Sequence, residues 1–242
     1  KAVQETVLIA PYNDLEKTTS IIEQYHDELG AVIVEPMQRL VTPNPGFLEG
    51  LRDLTSHYDI PLIFDEVVTG FRLAYGGAQE YYGVTPDLTS LGKIVGGGFA
   101  LAAVAGKEEL MSVFDRFQAE SDTYVRQVGT LNGNPLACAA GLATLKEMRK
   151  PGTYERLWEV GNKLRSEIER LFQEAEIPIQ SIGLAPLFGF YFSDEPINSY
   201  RGTLKADANL LNRFNGLLME NGVLKSWPDK FYPGVCHTDE DI

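Results

Sequence analysis

The sequence predicts an α/β fold, a mostly parallel sheet with helices on both faces, followed by a small C-terminal α/β domain. Three observations point there. Short apolar runs at Val7 to Ala10, Ala31 to Val34 and Pro61 to Phe64, and a further strand over Leu88 to Leu91, alternate with segments whose apolar residues recur at helical spacing. Strands separated by helices require right-handed crossovers, which set neighbouring strands parallel and cover both faces of the sheet. Pro151-Gly152 then interrupts the pattern and divides the chain into 1–150 and 151–242.

The elements follow in order. After the Val7 to Ala10 strand, Pro11-Tyr12-Asn13-Asp14 forms a capped turn, and Leu15, Ile21, Ile22, Tyr25 and Leu29 mark the first helix. Phe47, Leu48, Leu51, Leu54 and Tyr58 form the second helical stripe. The Pro61 to Phe64 strand then runs into two carboxylates, Asp65 and Glu66. Leu88 to Leu91 delivers Gly92-Lys93 at its end, and Gly96-Gly97-Gly98 lets the backbone turn back closely before a strand over Leu101 to Ala105. Pro135 to Met148 reads as a helix with Asn134 at its cap and Pro135 in its first position. Beyond the boundary, Leu157, Val160, Leu164, Ile168 and Leu171 share one helix face. A strand over Leu187 to Phe192, a helix near Ala208 to Asn221 and a strand near Gly222 to Lys225 complete the second domain.

At 242 residues and 44% hydrophobic, the chain is long enough for one substantial core with a smaller one appended. The net charge of −13 argues against a nucleic-acid or anionic-membrane surface, either of which would reward clustered Lys and Arg. No apolar run has the length of a membrane span. Cys138 and Cys236 lie far apart without CxxC spacing, so neither a disulfide framework nor a metal site is indicated, and a reducing cytoplasm fits. The opening Lys1-Ala2-Val3-Gln4-Glu5 has no initiator Met or signal-peptide core. Thr238-Asp239-Glu240-Asp241 reads as a helix start with no helix after it. A segment of a longer protein is expected.

In open parallel sheets ligands collect beyond the carboxyl ends of the strands, where Glu35, Asp65, Glu66 and Lys93 are all expected. An amine and a carboxylate at neighbouring strand ends suggest pyridoxal phosphate. The amine holds the cofactor's aldehyde as a Schiff base, and the carboxylate keeps the pyridine nitrogen protonated so that the ring accepts electrons. Glu35 and Glu66 either orient a neighbour near the ring or end a strand in solvent. Arg39, Arg72 and Arg126 offer bidentate guanidinium groups for a substrate carboxylate, and nothing in the sequence chooses among them. His26, His57 and His237 have no ligand-like spacing.

Several ordered motifs carry a resemblance. Leu62-Ile-Phe-Asp65-Glu-Val-Val-Thr-Gly-Phe-Arg72, Gly76-Gly-Ala-Gln-Glu-Tyr-Tyr-Gly-Val-Thr-Pro-Asp87 and Leu91-Gly-Lys93-Ile-Val-Gly-Gly-Gly98 are similar to those of class-III pyridoxal-phosphate aminotransferases. Gly129-Thr130-Leu-Asn-Gly-Asn-Pro-Leu-Ala137 and His237-Thr-Asp-Glu-Asp-Ile242 extend the match over nearly the whole chain. The resemblance implies the aspartate-aminotransferase-like fold-type I, with 1–150 as the later part of the large cofactor-binding domain and 151–242 as an incomplete C-terminal domain. It implies that Lys93 forms the Schiff base and moves the substrate Cα proton, that Asp65 pairs with the pyridine nitrogen and that Val67 packs on the ring. Gly129 and Thr130 would reach the cofactor phosphate of the neighbouring subunit, which makes the enzyme a homodimer. The implied reaction is amino transfer between an amine or amino acid and an oxo acid. Its rivals are the intramolecular transfer of a glutamate-1-semialdehyde 2,1-aminomutase and a non-catalytic dimerising module of the same fold. Where many ω-aminotransferases of the class read Glu-Pro-x-Gln-Gly-Glu-x-Gly, this chain reads Glu35-Pro-Met-Gln38-Arg39-Leu-Val-Thr42.

Overall fold

The computed structural model describes residues 3–117, 122–226 and 228–242. The chain forms two compact units, one of Lys1–Pro36 with Pro43–Met148, the other of Met37–Thr42 with Arg149–Ile242.

The first unit contains α1 (Leu15–Tyr25), β1 (Val32–Val34), α2 (Phe47–His57), β2 (Leu62–Glu66), α3 (Gly77–Tyr82) and β3 (Leu88–Leu91). It continues with β4 (Ala103–Gly106), α4 (Glu108–Met111) and α5 (Pro135–Met148). The sheet runs β1-β2-β3-β4, with the first three strands parallel and β4 antiparallel to β3. Each parallel pairing is made through a helix, α2 or α3, because a tight hairpin cannot join parallel strands. α1 begins where Asp14 accepts a hydrogen bond from the Lys17 N–H at 3.0 Å.

The core of this unit is one face of the sheet under α2. Phe47, Leu48 and Leu51 pack there with Leu62 and Phe64. Successive side chains on a strand alternate between faces, so Leu62, Phe64 and Glu66 share the packed face while Ile63 and Asp65 point to the other. That second face is the more open one, with Ile33 of β1 66% exposed.

At the amino ends of β2 and β3 the sheet is stitched by Asp87. Its carboxylate accepts from the Leu62 N–H at 2.7 Å, from Arg52 of α2 at 2.8 Å and from Lys107 just after β4 at 2.7 Å. Burial opposes the charge on this carboxyl. The ammonium of Lys107, the Leu62 N–H and the Arg52 guanidinium together outweigh burial and hold it down at about 2.

The second unit contains α6 (Thr153–Glu174), β5 (Gln180–Leu184), β6 (Leu187–Tyr191), α7 (Tyr200–Thr203), α8 (Ala208–Glu220) and β7 (Lys230–Phe231). Its strands form an antiparallel sheet in the order β5-β6-β7. Phe188, Phe190 and Phe231 form its aromatic centre, against which Leu164, Ile168, Phe214 and Leu218 pack. The Phe188 and Phe231 rings stack with centroids 5.2 Å apart. Met37, Leu40 and Val41 are buried in this unit, with the Leu40 side chain lying on Gly189 of β6. Arg39, at the tip of the turn closed by the Gln38–Val41 bridge, lies 4.9 Å from the centroid of the Tyr200 ring.

Two expected strands do not form. Val7, Leu8 and Ile9 are 57%, 46% and 87% exposed outside any sheet, because no strand among the described residues offers their backbone groups partners. Near Gly222 to Lys225 the chain first closes α8, with the Val223 N–H donating to the Leu218 carbonyl at 2.8 Å. Pairing with β6 is thereby delayed to Lys230–Phe231. The strand expected over Leu101 to Ala105 is displaced to Ala103–Gly106. Among the described residues no helix is long and apolar enough to cross a membrane, and no His, Cys, Asp and Glu cluster suits a metal ion.

Candidate active site

The site is built where β2 and β3 end side by side. Asp65 pairs in register with Ser90, and its Oδ1 accepts from the Ser90 hydroxyl at 3.0 Å and from the Val67 N–H at 3.1 Å. Both bonds pull on the same oxygen. The carboxylate is therefore oriented at one end, and Oδ2 is left for another partner. Lys93 lies three residues beyond Ser90 on the adjacent strand, which bounds its Cα at about 15 Å or less from that of Asp65. Its ammonium-bearing side chain is exposed, and its backbone sits at φ 52°, a left-handed conformation that a lysine adopts at some cost.

The two strand ends are locked together at Gly92. A Cβ there would lie 3.2 Å from Cγ1 of Val67, so the absent side chain lets the Val67 isopropyl group rest directly on the backbone leading into Lys93. From behind, α5 supports the lysine turn. A Cβ on its Gly141 would lie only 2.3 Å from the Val95 carbonyl oxygen, so the helix approaches this turn as closely as glycine permits. Asp65, Val67 and Lys93, the residues expected to gather here, are thus brought to the carboxyl ends of the two inner strands.

Other candidates fall elsewhere. Gly129 and Thr130 are exposed in the turn before α5, whose start is capped by Asn134 accepting from the Leu136 and Ala137 N–H groups at 3.0 and 3.1 Å. Among the described residues no hydrogen bond joins Thr130 to Asp65 or Lys93. Glu35 is half-buried just after β1. Glu66 is not at a solvent-exposed strand end: it is fully buried, with both oxygens hydrogen-bonded to the turn after β2 and the start of α3. Arg72 lies between β2 and α3, Arg126 is exposed, and Arg39 belongs to the second unit. His26 and His57 pack on Tyr58, and His237 Nδ1 meets the Gly234 N–H at 3.0 Å. Ser90 is the contributor that sequence reading passes over. Its signal is a hydroxyl three positions before the lysine, on a strand whose other hydroxyl, Thr89, is turned to the Phe64 carbonyl.

The sequence profile described as aminotransferase class-III matches residues 3–224. The chain belongs to the class-III aminotransferases. It is 42% identical over 241 residues to glutamate-1-semialdehyde 2,1-aminomutase 2 of Brevibacillus brevis, with 97% of this chain and 55% of that protein covered. The crystal structure of an omega-transaminase from Sphaerobacter thermophilus superposes with a TM-score of 0.92 at 36% identity, over 99% of this chain and 55% of that one. A beta-phenylalanine aminotransferase from Variovorax paradoxus follows with a TM-score of 0.86 at 30% identity, covering 97% and 54%. The chain spans about half the length of these relatives. Its fold is the fold-type I, aspartate-aminotransferase-like one.

Membership of this class implies pyridoxal phosphate, and the donor set of the site fits it. A primary amine and an oriented carboxylate with a free oxygen stand at the ends of adjacent parallel strands, with the apolar Val67 side chain against Gly92 beside the lysine. These are the groups an aromatic aldehyde bearing a basic ring nitrogen needs from a protein.

Proposed function

We propose that the complete protein is a pyridoxal-phosphate-dependent transaminase that moves an amino group between an amine or amino acid and an oxo acid. The observation that carries this reading is the placing of Asp65 and Lys93 at neighbouring strand ends, joined through Ser90, Val67 and Gly92. When bound, the cofactor supplies an electron sink for the charge left on the substrate Cα as its proton departs. Lys93 Nζ anchors the cofactor and, once displaced by the donor amine, takes that proton. Asp65 uses Oδ2 to hold a proton on the pyridine nitrogen, while Ser90 and Val67 keep the carboxylate from turning away. Val67 supplies an apolar surface for one ring face.

In this reading the enzyme is a homodimer, and Gly129 and Thr130 supply N–H and hydroxyl donors to the phosphate bound in the neighbouring subunit. Their exposure in the turn before α5 accords with that role. A cytoplasmic enzyme with small-molecule substrates, and with neither a nucleic-acid nor a membrane partner, accords with the net charge of −13.

Intramolecular transfer is the second reading, favoured by the 42% identity to an aminomutase. One set of measurements on the full-length protein tests both. Borohydride reduction in the presence of pyridoxal phosphate is expected to label the peptide containing Lys93, and Lys93→Ala is expected to lose both label and activity. Protein loaded with pyridoxamine phosphate is then offered an oxo acid or, separately, a 4-amino-5-oxo acid. Release of a new amino acid from the first supports transamination, and isomerisation of the second without any acceptor supports the aminomutase. Labelling elsewhere than Lys93 refutes both.

A further inference from the structure

We propose that Glu66 is a positioning residue, which sets the cofactor-facing carboxylate of Asp65 and the Val67–Gly92 contact beside Lys93 without touching cofactor or substrate. The inference rests on the reading of Asp65 and Lys93 given above. Glu66 closes β2 on the face opposite Asp65 and is 0% exposed. Its Oε2 accepts from the Ala78 N–H at 2.5 Å and the Thr69 hydroxyl at 3.0 Å. Its Oε1 accepts from the Gln79 N–H at 3.3 Å and the Gln79 side-chain amide at 2.9 Å. The backbone carbonyl of the same residue accepts from the Gly70 N–H at 2.9 Å. Every one of these bonds anchors the turn after β2 or the start of α3 to the strand end.

Val67 is the first residue of that turn. With Thr69, Gly70 and α3 pinned to Glu66, the Val67 N–H is directed at Asp65 Oδ1 and its isopropyl group at Gly92. The reach of Glu66 therefore extends through one residue to both strand ends. A carboxylate suits this place because it offers acceptor capacity at both oxygens, whereas an amide turns one of them into a donor facing other donors. The fit also depends on glycine: a Cβ on Gly77 would lie 2.4 Å from Glu66 Oε2, so the carboxylate reaches the start of α3 only because no side chain stands there. Burying an anion is costly, and a glutamate serving only to end the strand would sit more cheaply in water.

The test is a double-mutant cycle on the full-length protein, reading the dissociation constant of pyridoxal phosphate by absorbance titration of the cofactor-free form. Glu66→Gln is expected to weaken binding about tenfold, the scale set by one buried donor losing its acceptor. Asp65→Asn is expected to weaken binding by a similar factor. If Glu66 acts through Asp65, the double variant loses little more than either single one. Losses that multiply overturn the proposal and leave Glu66 a fold residue only, as does a Glu66→Gln protein that binds like wild type. Gln79→Leu keeps the carboxylate and removes one of its donors, and it takes the place of Glu66→Gln in the same cycle if that variant does not fold. An Asp65→Asn variant with unchanged affinity overturns the cofactor reading itself, an outcome distinct from multiplicative losses.

Discussion

Asp87 gives the sharpest quantitative expectation. Its carboxyl is held at about 2, against about 3.9 in an unfolded chain, and one pKa unit corresponds to about 1.4 kcal/mol. The difference makes the ionised group worth about 2.5 kcal/mol, or about 2 once screening at the half-exposed Lys107 end is allowed for. Because the folded value is the lower one, the contribution is complete above about pH 4, fades as the pH falls toward about 2, and is absent below that. Asp87→Asn keeps the size of the side chain and removes its charge. Urea unfolding of wild type and variant, compared from neutral pH to about pH 2.5, is expected to show a gap of about 2 kcal/mol that narrows only inside that window. A gap that stays constant across the window, or one under about 0.5 kcal/mol at neutral pH, refutes the reasoning. Cofactor affinity is expected to be unchanged, since Asp87 lies at the amino ends of β2 and β3 and the candidate site at their carboxyl ends.

Three further outcomes are expected. Gly141→Ala sets a methyl group 2.3 Å from the Val95 carbonyl oxygen, and a loss of about 1–3 kcal/mol in chemical unfolding, with weaker cofactor retention, checks the close approach of α5 to the lysine turn. Lys93 sits at φ 52°, so Lys93→Gly is expected to be more stable to urea than Lys93→Ala, by about 1 kcal/mol; equal unfolding curves would show that the backbone relaxes there at no cost. Phe188→Ala removes a 0% exposed ring stacked on Phe231 and is expected to cost about 3–5 kcal/mol by urea denaturation, and a cost below about 1 kcal/mol would contradict the packing of the second unit.

Local signals are the most legible in this chain. α5 spans Pro135–Met148 as the Asn134 cap and Pro135 foretell, β2 ends in the two carboxylates that follow an apolar run, and β3 ends just before Gly92-Lys93. Legibility failed where partners are distant in the chain. Val7 to Ala10 has the composition of a strand but no neighbour to pair with among the described residues, and β5 is polar enough to escape notice, since it is stabilised by its pairing with β6. Glu66 and Asp87 look alike in sequence, as acids beside short strands. One is buried by α3 and the other is neutralised by Arg52 and Lys107, and neither fate is visible without the tertiary fold. Ser90 was hidden for the same reason, because its partner Asp65 lies on the adjacent strand.

The hexapeptide Met37–Thr42 has a consequence for how this polypeptide is made. On the ribosome Leu40 emerges long before Gly189, the glycine on which it finally rests, so the later unit is assembled around a plug synthesised far upstream. Severing the chain after Met148 leaves that plug on the wrong fragment. Arg149–Ile242 produced alone would expose the apolar seat of Leu40, and adding the missing hexapeptide as a separate molecule is the natural way to fill it.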